Sequence, residues 1–206
     1  SWINFWSAAS AYYHALRGET DKIPEIFSQH RLSAVNMLVP GKPMMEMIEN
    51  QVYLAQGAYA KVVGRSTELL AVCDGMHYAL VALHIRIQTA AAYEMLGKTE
   101  EAHALLAKAL SDAAPDGFVM PFVENYGYLE QMLAREIRNG LITRIIELGE
   151  AAKRRKEESA RPPAFAALTQ REFEIVTLIA QRLSNREIAE KLHLSEGSVK
   201  QYVNQI

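Results

Sequence analysis

The sequence predicts an all-α protein, built as an array of helix pairs (an α-solenoid) that is followed by a small unit of three short helices. Two observations lead to this fold class. Apolar residues recur at spacings of three and four through most of the 206 residues, which is the spacing of one helix face. Gly18, Gly57, Gly97 and Gly140 recur at nearly equal intervals, and each separates two such segments. The interval has the length of one helix pair, so each period is expected to be one structural repeat.

The third repeat shows the pattern most completely. The expected apolar positions are Leu80, Leu83, Ile87, Ala90 and Tyr93 in its first helix, and Ala102, Leu105 and Ala109 in its second. Gly97, between the two helices, is free of the steric penalty that a side chain has at positive φ. Because neither helix can bury its apolar face alone, we expect successive pairs to stack. The repeat resembles the tetratricopeptide repeat (TPR), with a period longer than the usual value of about 34 residues.

Four aromatic residues near the N-terminus, Trp2, Trp6, Tyr12 and Tyr13, fit the apolar side of a first helix. Packing against the rest of the array is the simpler interpretation, because aromatic side chains bury large areas. A groove that holds a ligand is the alternative, and the sequence leaves it open.

The net charge of −2 conceals an uneven distribution. Residues 1–150 hold 12 Lys and Arg against 17 Asp and Glu, whereas residues 151–206 hold 10 against 7. We expect three parts: a TPR-like sensor or interaction region at 1–150, a charged helix end with a hinge of two prolines at 151–164, and a separate unit at 165–206. The run KRRK in the second part is either a binding patch or a solvated helix end, where cations favour the negative pole of the helix dipole.

Several classes of function find no support in the sequence. No apolar run approaches the roughly 20 residues of a membrane span, so we expect no membrane partner. The sequence shows neither a secretory leader nor a cysteine pair, and we therefore expect a cytoplasmic protein. His77 and His84, or Glu100 and His103, are too few to hold a metal, and Cys73 is expected to be a buried structural thiol. A phosphate-binding loop is absent as well. We expect neither an enzyme nor a bound cofactor.

The C-terminal stretch LTQREFEIVTLIAQRLSNREIAEKLHLSEGSVKQYVNQI contains the start signals of three helices. Thr169 with Glu172, and Ser184 with Glu187, have the spacing of a capping box, in which hydroxyl and carboxylate each satisfy a free backbone N–H. Ser195 is the expected cap of the third helix. The expected buried face of the first of these helices consists of Phe173, Val176 and Ile179 or Ala180.

The second and third of these helices have the spacing of a helix-turn-helix. The small side chain of Ala189 lets the third helix approach, and Val199, ten positions later, fills the junction. The complete set of expected core residues is Ile188, Ala189, Leu192, Leu194 and Val199. The residues expected on the exposed side of the third helix, whose width fits the major groove of DNA, are Glu196, Lys200, Gln201 and Asn204.

This stretch resembles the DNA-binding domain of the LuxR family of bacterial transcription regulators (LuxR/GerE-type). The resemblance extends over the whole quoted stretch and rests on Leu168-Thr169, Arg171-Glu172, Asn185, Glu187-Ile188-Ala189, Leu192, Ser195, Val199-Lys200 and Asn204-Gln205-Ile206. It implies that the residues facing base edges are Lys200, Gln201 and Asn204. It also implies that the residues approaching phosphates, or supporting the third helix, are Ser198, Asn185, Arg171 and Tyr202. Which side chain reads which base stays open.

The helical array, including PDGFVMPFVENYGYLEQML, is similar to the sensor segment of the large ATP-dependent, maltose-activator-type (MalT-like) members of the family. The resemblance implies a transcription regulator that binds double-stranded DNA and senses a small-molecule or protein effector through its array. Family domains continue into a fourth helix that usually forms a homodimer, and here that helix is missing or only begun. A non-catalytic TPR-like interaction scaffold is the alternative, and competition by duplex DNA distinguishes the two.

Overall fold

The structure, a computed structural model, describes residues 5–32, 39–159, 165 and 167–205. Every regular element in this part of the chain is helical, which confirms the predicted all-α class. None of the described helices combines the length and the apolar character needed to cross a lipid bilayer.

The chain divides into two compact units, Ser1–Arg154 and Arg155–Ile206. The expected division into three functional parts, residues 1–150, 151–164 and 165–206, stays a prediction. Trp2 and the prolines of the expected hinge, Pro162 and Pro163, lie outside the described residues. The helix that precedes the hinge continues through Ser159, because the run KRRKEES contains no residue that ends a helix.

The helices of the first unit are joined by short turns. In order they are α1 Phe5–Arg17, α2 Glu25–Ser28, α3 Lys42–Ala55, α4 Tyr59–Gly75, α5 Ala79–Met95, α6 Thr99–Ala113, α7 Met120–Glu124, α8 Tyr126–Arg135 and α9 Gly140–Ser159, the last of which crosses into the second unit. Single turns of 3-10 helix cover Thr20–Lys22 and Val39–Gly41. Helices α3 to α6 pack in sequence, and this forms the expected array of helix pairs.

Helix α5 lies at the centre of the first unit and contacts α3, α4, α6, α7 and α8. Residues 88–92 of α5 are all buried, as expected of a helix that is covered on nearly every side. Its first half joins a core with α1, α2, α3 and α4, in which Phe27 and Val52 are fully buried. Its second half joins a core with α6, α8 and α9, in which Leu106 and Leu129 are fully buried.

The third repeat corresponds to α5 and α6. Leu83, Ile87 and Ala90 are buried as expected, and so are the two alanines expected in the second helix. Tyr93 and Leu105 are partly buried against the same core, whereas Leu80 has 48% of its surface exposed. It lies in the first turn of α5, where the neighbouring helices do not cover it.

A left-handed residue closes one helix after another in this unit. Gly57, His77, Gly97 and Gly117 have φ between 56° and 73° and follow each other at equal intervals along the chain. In each turn the following residue donates its N–H to the carbonyl five positions earlier, at 2.8–3.2 Å, as in the Schellman motif. One repeat of the array therefore consists of two helices. Each helix, together with the turn that closes it, takes half of the repeat period.

The role expected of Gly140 is wrong. Gly18, Gly57 and Gly97 each close a helix, whereas Gly140 is the first residue of α9. The start of α9 is set by Asn139, whose side-chain oxygen accepts a hydrogen bond from the N–H of Ile142 at 2.9 Å. Such a bond satisfies one of the free N–H groups of a first helical turn.

The packing expected of the N-terminal aromatics is wrong for Trp6 and Tyr13, whose exposed fractions are 81% and 56%. Helix α1 instead buries Ala8, Ala11 and Ala15 against α3. With 3.6 residues per turn, Trp6 and Tyr13 fall on the opposite side of α1. The small alanine side chains let α1 and α3 approach each other.

Three amide side chains connect α3, α5 and the end of α7 inside the first unit. Gln88 donates to the side-chain oxygen of Gln51 at 2.9 Å and to the carbonyl of Met47 at 3.1 Å. Gln51 donates to the side-chain oxygen of Asn125 at 3.1 Å, and Asn125 donates to the carbonyl of Pro121 at 3.0 Å. Because buried amides are costly without partners, this network favours one arrangement of the helices.

Gly149 supplies a test of the packing between α8 and α9. A Cβ atom at Gly149 would lie 2.3 Å from ring carbons of the buried Tyr126, whereas a Cβ at Gly64 in α4 meets nothing within 4 Å. We expect Gly149→Ala to lower the free energy of unfolding by about 1–3 kcal/mol through overpacking. Gly64→Ala should raise it by about 0.5–1 kcal/mol because alanine favours the helix. Urea unfolding measures both, and equal effects would contradict the assigned contact.

Candidate DNA-binding site

The second unit contains three short helices, α10 Gln170–Ala180, α11 Asn185–Leu192 and α12 Glu196–Gln205. They enclose a small core of Ile175, Leu178, Ile188, Ala189 and Val199. The partly buried residues that pack against this core are Leu183, Leu192, Leu194 and Tyr202. The five residues expected to form the helix-turn-helix core thus lie in this cluster, three buried and two at its edge.

Two capping boxes begin α10 and α11, which confirms both expected boxes. The N–H of Thr169 donates to the Glu172 carboxylate at 2.7 Å, and the N–H of Ser184 donates to the Glu187 carboxylate at the same distance. The Thr169 backbone and hydroxyl groups lower the pKa of Glu172, and the Ser184 hydroxyl and N–H lower the pKa of Glu187.

The turn between α11 and α12 is closed by a left-handed residue, His193, with φ of 53°. The N–H of Leu194 donates to the carbonyl of Ala189 at 2.9 Å. Ser195 then caps α12, since its hydroxyl oxygen accepts the N–H of Ser198 at 3.0 Å. These contacts fix where α12 starts relative to α11, and Val199 and Ala189 lie in the same core.

The face of α10 that points into the core differs from the expected one. Ile175 and Leu178 are buried, whereas Phe173 and Val176 are only partly buried and Ile179 is 41% exposed. Both sets have helical spacing, so periodicity alone cannot choose between them. The choice is made by contact with α11 and α12.

Three of the predicted site residues form an exposed row on α12. Lys200, Gln201 and Asn204 are all exposed, while Val199 on the other side is fully buried. The ammonium group of Lys200 lies 3.4 Å from the Glu196 carboxylate, one helical turn earlier. We call Glu196, Lys200, Gln201 and Asn204 the α12 ridge. This ridge offers amide groups that both donate and accept hydrogen bonds, together with one internally paired cation.

The remaining predicted site residues are partly buried. Ser198 shares a hydrogen bond of 2.8 Å with the Ser195 hydroxyl. Asn185 is the first residue of α11, and Arg171 in α10 is 3.0 Å from the Glu174 carboxylate. Tyr202 packs against the domain core, so its ring helps to hold α12 on that core. The structure brings Ser198 and Tyr202 next to the ridge on the same helix.

Sequence reasoning missed two features of the charge distribution. The first is the Glu196–Lys200 ion pair, which the spacing of four positions in a helix could have indicated. The second is the pair of exposed cations Arg182 and Lys191, which form no ion pair with any described residue. Arg182 has φ of 63°, and no sequence signal marks an arginine for a left-handed position.

Residues 166–206 match the family described as bacterial regulatory proteins, luxR family. This part of the chain is a LuxR-family helix-turn-helix domain. The match ends at the last residue of the chain and covers α10, α11 and the α12 ridge. The resemblance inferred from the capping boxes and from the spacing of Ala189 and Val199 is therefore confirmed at the level of the LuxR family.

Two curated relatives are bacterial regulators. The chain is 43% identical over 49 residues, 24% of the chain and 22% of the relative, to the transcriptional regulatory protein LnrK of Bacillus subtilis (strain 168). It is 29% identical over 98 residues, 48% of the chain and 45% of the relative, to the nitrate/nitrite response regulator protein NarP of Escherichia coli (strain K12). The chain spans less than half the length of either relative. No solved structure matches the chain.

The capping box of α11 supplies a test of the LuxR-type domain. Ser184→Ala removes the acceptor for the Glu187 N–H, and we expect a loss of about 1 kcal/mol, or about fivefold faster opening of α11. Amide hydrogen exchange over residues 185–192 measures this opening. Ser111→Ala, at an exposed position inside α6, is the matched control and should leave exchange in α11 unchanged.

The lowered pKa values of Glu172 and Glu187 predict how the domain responds to acid. Because the folded-state pKa lies below the ordinary value of 4.5, the stabilisation is present above pH 4.5 and is lost as the pH falls through the lowered values. The difference in α11 exchange between the native chain and Glu187→Ala should therefore shrink below pH 4.5. A difference that persists unchanged into strong acid would contradict this origin.

Proposed function

We propose that the protein is a DNA-binding transcription regulator, in which the α12 ridge enters the major groove of double-stranded DNA. The observation that carries the proposal is the exposed row of Lys200, Gln201 and Asn204 opposite fully buried Val199, within a LuxR-family domain. A helix with one buried face and a polar opposite face fits the groove, where each base pair presents a distinct set of donors and acceptors.

The side chains suggest a division of roles along the ridge. Gln201 and Asn204 carry amides, which can bond adenine in two places, and both lie away from the domain core. Lys200 has three donors and no acceptor, so it suits guanine acceptors or a phosphate. We assign Ser198, Asn185 and Arg171 to contacts with phosphates, because a hydroxyl, an amide and a guanidinium can each donate to a phosphate oxygen, and Tyr202 to the support of α12.

Two features of the charge distribution are compatible with binding to the DNA backbone. Arg171, Arg186 and Lys200 each have a carboxylate within 3.0–3.4 Å on their own helix. Exposed pairs of this kind are worth little, so a phosphate can replace the carboxylate at small cost. Arg182 and Lys191, which pair with no described carboxylate, add attraction for the DNA backbone.

For the first unit we propose an effector-sensing role, with a small molecule or a protein as the effector. Support comes from the helical array, which leaves two cavities between its helices. Membership of the MalT-like subgroup and a homodimeric DNA-bound form are further parts of this proposal. A tenfold change in DNA affinity needs only about 1.4 kcal/mol of coupling between the two units.

Substitutions on the ridge test the DNA-binding role. In a selection from random duplexes followed by sequencing, Gln201→Ala and Asn204→Ala should relax the preference at one or two base pairs, each by about 1–3 kcal/mol.

Lys200→Ala should lower the slope of log affinity against log salt by about one if its partner is a phosphate. Lys42→Ala is the matched control, because Lys42 has the same 62% side-chain exposure and a carboxylate four positions away. Unchanged affinity and preference in all three ridge variants would reject the assignment.

The Glu196–Lys200 pair permits a test in the opposite direction. Glu196→Gln removes a negative charge from the ridge and frees the ammonium group, so we expect about two- to fivefold tighter binding to duplex DNA at low salt. Glu46→Gln makes the same change beside Lys42 in the first unit and should have no effect. Weaker binding by Glu196→Gln would place the ridge away from the DNA phosphates. Fluorescence anisotropy with labelled duplex measures both variants.

A further inference from the structure

The first unit contains a cavity of about 230 Å³ between α1, α3, α5 and α7. One wall consists of Met44, Met45 and Met47 with Ile48, all from α3. Ala8 and Ala9 of α1 form the facing wall, and their small side chains leave the space open. Thioethers are flexible and polarisable, so this lining adapts to apolar groups of different shape. The size lies below the roughly 300–1,000 Å³ of sites for drug-sized ligands, so the cavity suits a small molecule.

Three polar side chains line the cavity as well. The Tyr12 hydroxyl donates to the Glu124 carboxylate at 2.6 Å, and the His84 Nδ1 atom lies 3.4 Å from the Tyr12 oxygen and 3.9 Å from Glu124 Oε2. So short a distance, 2.6 Å, is typical of an O–H group that donates to a charged carboxylate. The cavity therefore combines an apolar wall with one negatively charged group.

The charge of Glu124 has no cationic partner among the described residues that line the cavity. His84 is the one basic side chain in that lining, and burial lowers its pKa to about 4, so it is neutral at neutral pH. Burial also raises the pKa of Glu124, partly offset by the Tyr12 hydrogen bond. A carboxylate in such surroundings is costly unless a cation compensates its charge.

We propose that this cavity binds a small primary amine with an apolar body, whose ammonium group pairs with Glu124 and whose hydrocarbon part lies against the α3 methionines. The charge of Glu124 disfavours carboxylates and phosphates. A sugar is equally unsuited, because most of its hydroxyl groups would face methionine and alanine without hydrogen-bond partners. Identifying the amine as the effector of the regulator rests on the proposed function, whereas the binding itself rests on the first unit alone.

The sequence alone does not single out the polar residues of this cavity. Tyr12 is one of the N-terminal aromatics, for which a ligand-lined groove is the alternative to packing. His84 is, from the sequence, a candidate only for metal binding, and the described residues contain no cluster of three or more metal-binding side chains. The contacts of Tyr12 with Glu124 and His84 join positions far apart in the sequence, so only the fold brings them together.

The experiment compares three probes of similar size by calorimetry on the whole chain: 2-phenylethylamine, 2-phenylethanol and 3-phenylpropionate. We expect the amine to bind at least about tenfold more tightly than the alcohol, which lacks the charge, and the carboxylate to bind least. Equal affinities of amine and alcohol, or tightest binding of the carboxylate, would overturn the proposal. So would the absence of amine binding at millimolar concentration. This comparison needs no variant.

Glu124→Gln keeps the shape of the side chain and removes its charge. It should weaken amine binding by at least about tenfold and leave alcohol binding within about threefold. The matched control is Glu130→Gln in α8, whose carboxylate pairs with Lys153 at the surface, and amine binding should not change. An unchanged amine affinity in a folded Glu124→Gln protein would overturn the proposal.

A DNA-binding measurement separates this inference from the proposed function. Lys200→Ala should leave amine binding unchanged, since Lys200 belongs to the second unit. If the amine binds but does not alter DNA affinity, the ligand site stands and its role as the effector site is rejected. If the protein fails to bind DNA at all, the amine result still decides the ligand site.

Discussion

The left-handed residue at the end of a helix is the constraint on which both units depend. Gly18, His30, Gly57, His77, Gly97, Gly117, Arg182 and His193 all have positive φ. At each of them the next residue donates its N–H to the carbonyl five positions earlier. This bond ends the helix and reverses the chain within a short turn, so that neighbouring helices can bury their apolar faces against each other. Half of these positions hold His or Arg, which adopt this conformation at a steric cost.

In the second unit the same turn sets the position of the α12 ridge. The turn at His193 brings Val199 into the core that contains Ala189, and burial of Val199 leaves Gln201 and Asn204 on the opposite side of the helix. Caps add to this constraint, because each of the three helices begins at a hydroxyl that accepts a backbone N–H. A domain whose buried core is this small depends on such local bonds more than a larger one does.

The two units differ in their buried polar groups. In the first unit the amides of Gln51, Gln88 and Asn125 bond each other and backbone carbonyls, so they serve the packing of α5. Tyr12 and Glu124 also bond each other, but they line a cavity and carry a charge that the described lining does not balance. Among the described residues of the second unit, no polar side chain is buried.

The sequence by itself determined the helical class, the capping boxes and the LuxR-family domain, because each depends on residues that are close to one another along the chain. It did not determine which face of α10 is buried, since Phe173 and Ile175 both fit a helical period, nor the exposure of Trp6 and Tyr13. Those choices depend on which neighbouring helix covers each face. The left-handed conformation of His77 and the meeting of Tyr12, His84 and Glu124 were not determined by the sequence either. Histidine adopts positive φ at a steric cost, and the three side chains are far apart in the chain and meet only in the folded array.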